Sequence, residues 1–330
     1  MHKFIVATAL IVSAASAAAS AGAPANVDQS VLQVQVVLDH LGFSPGLLDG
    51  KTGKSFTTAL KGFQESRGLT TSGTLDDATR IALKPYATMP ATRKLRLSAE
   101  VLAGPFISPI PKALDQQAKL SSLGYSSVME KLAEMFHTTP EALRALNPPR
   151  TPLVAGTPVV FPNALPYSRA YGPKLNETWR KTLAGLNVDA KQPVAAKVVV
   201  DKSDQVLKVY DAGGKLVAQF QATMGSEHDP LPIGTWKIQG ADYNPKFHYD
   251  PKLFWNAKKS DDPATLPAGP NGPVGVVWID LSKPHYGIHG TPEPATIGRA
   301  ESHGCIRLTN WDAARLSLMV KAGTPAVFQL

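Results

Sequence analysis

Ile288-His289-Gly290-Thr291, a short loop carrying Pro292, Pro294 and Gly298, and then Ser302-His303-Gly304-Cys305-Ile306-Arg307-Leu308 make up the stretch on which the reading of this chain turns. Cys305 is the only cysteine among 330 residues. A sulfur nucleophile needs a base to take its proton, and an acyl-transfer intermediate needs backbone N–H groups aimed at its oxyanion. All three parts occur here. His289 closes an apolar strand and can serve as the base, and Cys305 supplies the thiol. Gly304 lets the backbone over 303–305 turn tightly enough to present its amides to one oxygen.

Two plainer readings compete. A lone cysteine is often a small buried hydrophobe, and a nearby histidine is often structural. Here the pair lies among Gly, Ser and Arg, which suits a loop better than a core. The second reading is a zinc site, since His285, His289, His303 and Cys305 could surround one ion. It lacks a second thiol or a carboxylate at a recognisable spacing, so neither metal nor cofactor is expected. A papain-like protease would place its cysteine upstream of its histidine, and here the order is reversed.

The ordered series His-Gly-Thr and Ser-His-Gly-Cys-Ile-Arg-Leu resembles the L,D-transpeptidase, or YkuD, catalytic domain. The resemblance runs from about Ala195 to Leu330. It takes in Lys197-Val198-Val199-Val200-Asp201, Leu231-Pro232-Ile233-Gly234-Thr235-Trp236, Ile288 and Gly298. It implies Cys305 as nucleophile, His289 as base, the Gly290 backbone carbonyl orienting His289, and amides of His303, Gly304 and Cys305 as the oxyanion hole. It also implies substrate contacts at Arg307, Ser302, Tyr286 and Trp255. Arg307 suits either a substrate carboxylate or a structural acid. The substrate implied is the peptidoglycan tetrapeptide stem, cleaved through a thioester acyl-enzyme that carbapenems would also form. The acceptor would be a second stem, giving a 3→3 crosslink, a wall-anchored lipoprotein, or water, which would make the chain an L,D-carboxypeptidase. A non-catalytic peptidoglycan-binding protein is the reading from another class, and the intact His289/Cys305 pair argues against it. An aromatic, Lys-rich segment from Asp242 to Asn271, with Tyr243, Phe247, Tyr249, Phe254, Lys258 and Lys259, sits where that family carries a lid or cleft wall.

Upstream, Lys3, the uncharged apolar run from Phe4 to Ala19, and Ala19-Ser20-Ala21 read as a signal peptide over 1–21. Export to the periplasm with cell-wall association follows, without stable membrane insertion. An unpaired cysteine in an exported protein is itself a mark of a reactive thiol. The net charge of +8 is scattered, which argues against nucleic acid as a partner and allows a weakly anionic polymer.

Between these ends the fold class expected is multidomain α+β. Val31, Val34, Leu38 and Leu41, then Phe56, Leu60 and Phe63, have helical spacing, and Thr74 with Asp77 reads as a capping box for a third helix. Leu41-Gly42-Phe43, Asp49-Gly50, Phe63-Gln64, Gly68-Leu69, Gly73 and Thr79 are similar to peptidoglycan-binding domain 1, over 28–85. Four prolines make 86–118 a connector. Residues 119–163 are similar to a LysM domain of βααβ order, through Leu132-Ala133, Phe136, Leu143, Leu146-Asn147-Pro148 and Val159 to Pro162. Leu123-Gly124-Tyr125 stands where that domain's opening strand would be. A Pro-rich linker over 164–194 leads to a β-rich sandwich over 195–330. The partners implied are peptidoglycan stems and glycan.

Overall fold

The computed structural model describes residues 27–254, 257, 262–302 and 304–330. The 1–21 stretch read as a signal peptide, Trp255, Lys258, Lys259 and His303 lie outside the described residues. No described helix is long and apolar enough to cross a membrane.

Three helices open the chain: α1 (Gln29–His40), α2 (Lys54–Ser66) and α3 (Asp77–Leu83). Asp28 starts α1 by accepting from the Ser30 and Val31 amides, which satisfies donors that have no partner inside a helix. Gly42, at φ +90°, ends it in a conformation glycine adopts without strain. The cap of α3 is Asp76, which accepts from Thr79 N, and not Thr74 as the capping-box reading had it. Thr74 is used elsewhere: its carbonyl accepts from the fully buried Gln64 side chain, which also takes the Gly73 amide at 2.8 Å.

The expected connector contains a strand. β1 (Thr92–Arg96) pairs antiparallel with β2 (Pro158–Pro162), Thr92 opposite Pro162 and Arg96 opposite Pro158. Between them come the short α4 (Ala99–Leu102) and α5 (Leu114–Gln117), then α6 (Val128–Met135) and α7 (Pro140–Ala145). Leu97, Leu132, Phe136, Leu143, Val159 and Phe161 close this core, with the Phe136 and Phe161 rings stacked at 4.0 Å. The strand that pairs with β2 is therefore β1, outside the 119–163 segment, and four helices separate the two strands in place of the expected two. Leu123 instead pairs away from the module, donating to Ala268 O and accepting from Asn271 N. The 164–194 linker is also structured. Its α8 (Glu177–Gly185) buries Trp179 and Leu183 in the main core, and Trp179 stacks on Tyr243. Counting prolines hid both elements, although Trp179, Leu183 and Leu186 recur at helical spacing.

The C-terminal part is a nine-stranded arrangement. Its strands are β3 (Lys197–Asp201), β4 (Val206–Tyr210), β5 (Leu216–Gln221), β6 (Thr223–Met224), β7 (Gly234–Tyr243), β10 (Val277–Leu281), β11 (Gly287–His289), β12 (Ile306–Arg307) and β13 (Pro325–Gln329). Their order is β5-β4-β3-β13-β7-β10-β11-β12-β6. The long β7 is shared: its first residues pair with β13 and its last with β10. Val198, Leu207 and Phe220 from one half meet Ile279, Ile288 and Ile306 from the other in one core, with Trp311 and Leu316 of α9 (Asn310–Met319). The intervening hairpin, β8 (Phe247–Tyr249) and β9 (Ala264–Leu266), occupies the aromatic segment, where Phe254 packs against Phe247 and Tyr249.

The first module is docked and not merely strung on a connector. Leu38, Phe43, Phe56, Leu60 and Phe63 pack against Leu216 of β5. Ser44 N and Gly42 O bond to the Gln219 backbone at 2.9 Å each, and Gly62 leaves no room for a Cβ beside the Gln219 side chain. A buried polar centre joins all three modules. Asp39 of α1 meets Arg315 of α9 at 2.9 Å and His137, just after α6, at 3.0 Å, while Ser44 donates to Asp312 at 2.7 Å. Burial alone would push the Asp39 carboxyl up, but the adjacent His137 and Arg315 hold it well below the usual carboxylate range. Asp312 has the opposite balance: burial outweighs Arg315 and raises it to about 6.

Candidate active site

His289 ends β11, a central strand between β10 and β12, and is 4% exposed. Its Nδ1 lies 2.7 Å from the Gly290 carbonyl oxygen. A carbonyl can only accept, so Nδ1 carries the proton and Nε2 is left as the acceptor. Burial lowers the imidazole to about 4, against the pull of the Gly290 carbonyl and with help from Arg307. At neutral pH the ring is therefore an uncharged base. Trp278, its cross-strand neighbour on β10, stacks on it at 5.4 Å and fixes its plane.

Cys305 stands just before β12, which runs parallel to β11 with Ile306 opposite Ile288 and Arg307 opposite His289. Its Sγ lies 3.8 Å from the His285 carbonyl, and the Gly287 amide donates to it. Both contacts are with backbone of the segment that leads into and opens β11, Gly287 standing two residues before the imidazole. The thiol is half-buried, and burial pushes it above its ordinary value, more than the Gly287 amide and Arg307 pull it down. The resting pair is thus a neutral thiol and a neutral imidazole. Such a pair needs proton transfer to Nε2 as the sulfur attacks.

Backbone shape around the thiol rests on specific glycines. Gly304 has φ +91°, and a Cβ there would lie 2.7 Å from the Tyr286 ring. Tyr286 therefore lies on the turn that carries the thiol, with Lys283 Nζ 4.9 Å above its ring. A Cβ at Gly287 would strike the Trp278 indole at 2.4 Å, and one at Gly290 would strike Asn310 Oδ1 at 2.1 Å. Glycine at 290 is thus required sterically, beyond supplying a carbonyl that any residue could offer.

Ser302, expected among the substrate contacts, is placed differently. It is 3% exposed and accepts from Gly225 N at 2.7 Å while donating to the Cys305 carbonyl at 2.6 Å. Both capacities of its hydroxyl serve the loop, so it clasps the turn to the Gly225 backbone. Arg307 is half-buried beside the pair and has no carboxylate within 4 Å among the described residues; its Nε is buried without a partner. Sequence reasoning missed Trp278, Gly287, Asn310, Lys283 and Asp229, whose charge acts on Cys305 and Tyr286. Only Trp278 left a signal, a bulky aromatic at an alternating position of a strand next to the histidine's strand. Among the described residues no group of three or more His, Cys, Asp or Glu side chains is placed to hold a metal.

Residues 195–328 match the family model of YkuD, the L,D-transpeptidase catalytic domain, and residues 27–83 match that of "Putative peptidoglycan binding domain". The chain is 56% identical over 55 residues to "Putative L,D-transpeptidase YkuD" of Bacillus subtilis, covering 17% of this chain and 34% of that protein. It is 30% identical over 134 residues to "Probable L,D-transpeptidase YbiS" of Escherichia coli, covering 40% and 44%. The chain therefore spans less than half the length of these curated relatives. Among solved structures, an L,D-transpeptidase from Xylanimonas cellulosilytica aligns over 92% of this chain and 95% of its own, at 14% identity and TM-score 0.39. One from Mycobacterium smegmatis aligns over 40% and 58%, at 23% identity and TM-score 0.33. Superposition at these TM-scores is weak.

Proposed function

We propose that this chain, which carries a YkuD L,D-transpeptidase catalytic domain at 195–328 and a peptidoglycan binding domain at 27–83, is a cysteine-dependent L,D-transpeptidase acting on peptidoglycan tetrapeptide stems. The observation that carries the reading is the neutral His289, its Nδ1 committed to Gly290, on the strand whose Gly287 amide donates to the Cys305 sulfur. The Cys305 proton passes to His289 Nε2 as Sγ bonds to the stem carbonyl at its L-centre. The oxyanion meets the 303–305 amides. Collapse breaks the amide bond, the terminal D-amino acid takes the proton from His289, and a thioester remains. An acceptor amine then bonds to that carbonyl, the C–S bond breaks, and the amine's proton returns through His289 to the sulfur. With a second stem the product is a 3→3 crosslink, with a lipoprotein side chain a wall-anchored protein, and with water a tripeptide. Arg307, with no carboxylate within 4 Å among the described residues, suits a substrate carboxylate.

The 27–83 module would hold the chain on peptidoglycan, raising the local concentration of stems. Export through the 1–21 segment would deliver it to the periplasm and the wall. The test is intact-mass analysis with tetrapeptide stems. Wild type should show a transient adduct at Cys305 and release the terminal residue, and Cys305→Ala should show neither. Turnover that persists in Cys305→Ala would refute the reading, and the product masses would identify the acceptor.

A further inference from the structure

We propose that Glu134, on α6 outside the catalytic domain, is a positioning residue for His289, acting through Asn310 and the Gly290 peptide. The inference rests on His289 being the base of the reaction proposed above. Asn310, the first residue of α9, is fully buried. Its Nδ2 donates to Glu134 Oε1 at 2.8 Å and to the Pro270 carbonyl at 3.1 Å, and its Oδ1 accepts from Val276 N at 3.2 Å. Two acceptors on one side and a donor on the other fix which way the amide faces. That Oδ1 sits where side chains would be at Gly275 and Gly290, 1.9 and 2.1 Å from their Cβ positions. It therefore wedges against the Gly290 backbone, whose carbonyl holds His289 Nδ1. On its amino side Gly290 is held only by a long bond, 3.4 Å from its N to Val277 O. Asn310 is thus, with Gly275, a close packing restraint on the residue whose carbonyl orients the base. Glu134 in turn is its only side-chain acceptor among the described residues.

Glu134 does not serve its own module with this contact. It is buried, its Oε2 has no hydrogen-bond partner, and the bond to Asn310 spans 176 residues. The groups facing it are Tyr125, then Asn310, Glu130 and His137. Burial raises its carboxyl to about 7. A carboxylate holds an amide N–H more strongly than a neutral acid does, so the restraint loosens as Glu134 takes up its proton. In the same range His289 is already neutral and Cys305 is still protonated.

The test uses the full chain and two readouts, iodoacetamide alkylation of Cys305 and turnover of soluble stems, between pH 5 and 8. By analogy with partners that orient metal-bound histidines, Glu134→Ala should lower kcat and alkylation by about tenfold, with KM nearly unchanged. Glu134→Gln keeps an acceptor for Asn310 and should restore most of the rate. The ratio of wild-type to Glu134→Gln alkylation should step down as pH falls through about 7, because thiol ionisation is common to both and cancels. A merely structural glutamate would not produce that step. Glu134→Ala alkylating at the wild-type rate, or a flat ratio for Glu134→Gln, overturns the proposal. If Glu134→Ala fails to fold, the Glu134→Gln ratio decides. A wild type that alkylates normally but turns over no stem sinks the transpeptidase reading, while the alkylation ratio still decides this one.

Discussion

Removing the Asp39 carboxylate should loosen the contact between the N-terminal helices and the catalytic domain. Asp39 is almost wholly buried and bonds to Arg315 at 2.9 Å and His137 at 3.0 Å. Breaking a buried ion pair by deleting one partner costs about 3–5 kcal/mol, because the other charge stays buried and uncompensated. Arg315 would keep Asp312 at 3.6 Å, so Asp39→Asn should fall near the lower end, about 3 kcal/mol. For a chain of this size that corresponds to roughly 4–5 °C in Tm. Replacing both partners, Asp39→Leu with Arg315→Met, should cost clearly less than the two single changes together, since no orphaned charge remains. Calorimetry would give the Tm values, and limited proteolysis would report cleavage around residues 84–91 once the helices undock. The sign with pH follows from the depressed carboxyl. Its contribution is complete above the unfolded value near 4 and is lost as pH falls through the still lower folded value. Asp312, raised to about 6, has the opposite sign, and its burial penalty is relieved as pH falls from 6 toward 4. A loss for Asp39→Asn below about 1 kcal/mol, the range of exposed pairs, would refute the view that this centre joins the modules.

Gly290→Ala should lower stability by about 1–3 kcal/mol, as overpacking does, because its Cβ would meet Asn310 Oδ1 at 2.1 Å. It should also lower kcat on soluble stems; an unchanged kcat would mean that the Gly290 carbonyl does not orient the base. With His289 lowered to about 4, the main acid loss of kcat/KM should come as pH falls through about 4, and a main limb near 6.5 would show that the ring is not buried as described. The same depressed value makes folding stability rise with pH between about 4 and 6.5, where the unfolded chain binds the extra proton. Urea midpoints for wild type and His289→Ala across that window would reveal the difference.

The candidate catalytic stretch was legible because the chemistry proposed for it is local. A base at the end of one strand, a glycine turn and a thiol before the next strand must lie at fixed spacing, and β11 and β12 fall on those residues. Val198 to Val200 were legible because a strand buried on both faces reads as an unbroken apolar run. What escaped was held by partners distant in sequence. β1 carries arginines and a lysine and is a strand because β2 lies beside it, not because of its own pattern. Ser302 looked available because serine in a glycine-rich turn is usually exposed, and only the Gly225 backbone reveals it as a clasp.

Asn310 shows the limit most clearly. Thr309 caps α9 by accepting from Asp312 N, so Thr309-Asn310-Trp311-Asp312 would read as an ordinary helix start with the asparagine as a solvated first-turn residue. Its amide is instead buried, its oxygen seated on two glycines of the catalytic domain and its nitrogen on a glutamate of another module. Each of those residues has a local explanation that hides the other: Gly290 as a flexible link after the strand, Glu134 as a polar position on an amphipathic helix. Only their meeting explains why glycine is needed at 290 and why a carboxylate is buried at 134. The docking that buries Glu134 thus also restrains the carbonyl holding the base, so undocking the central module should change the reactivity of Cys305 without touching any residue of its own loop.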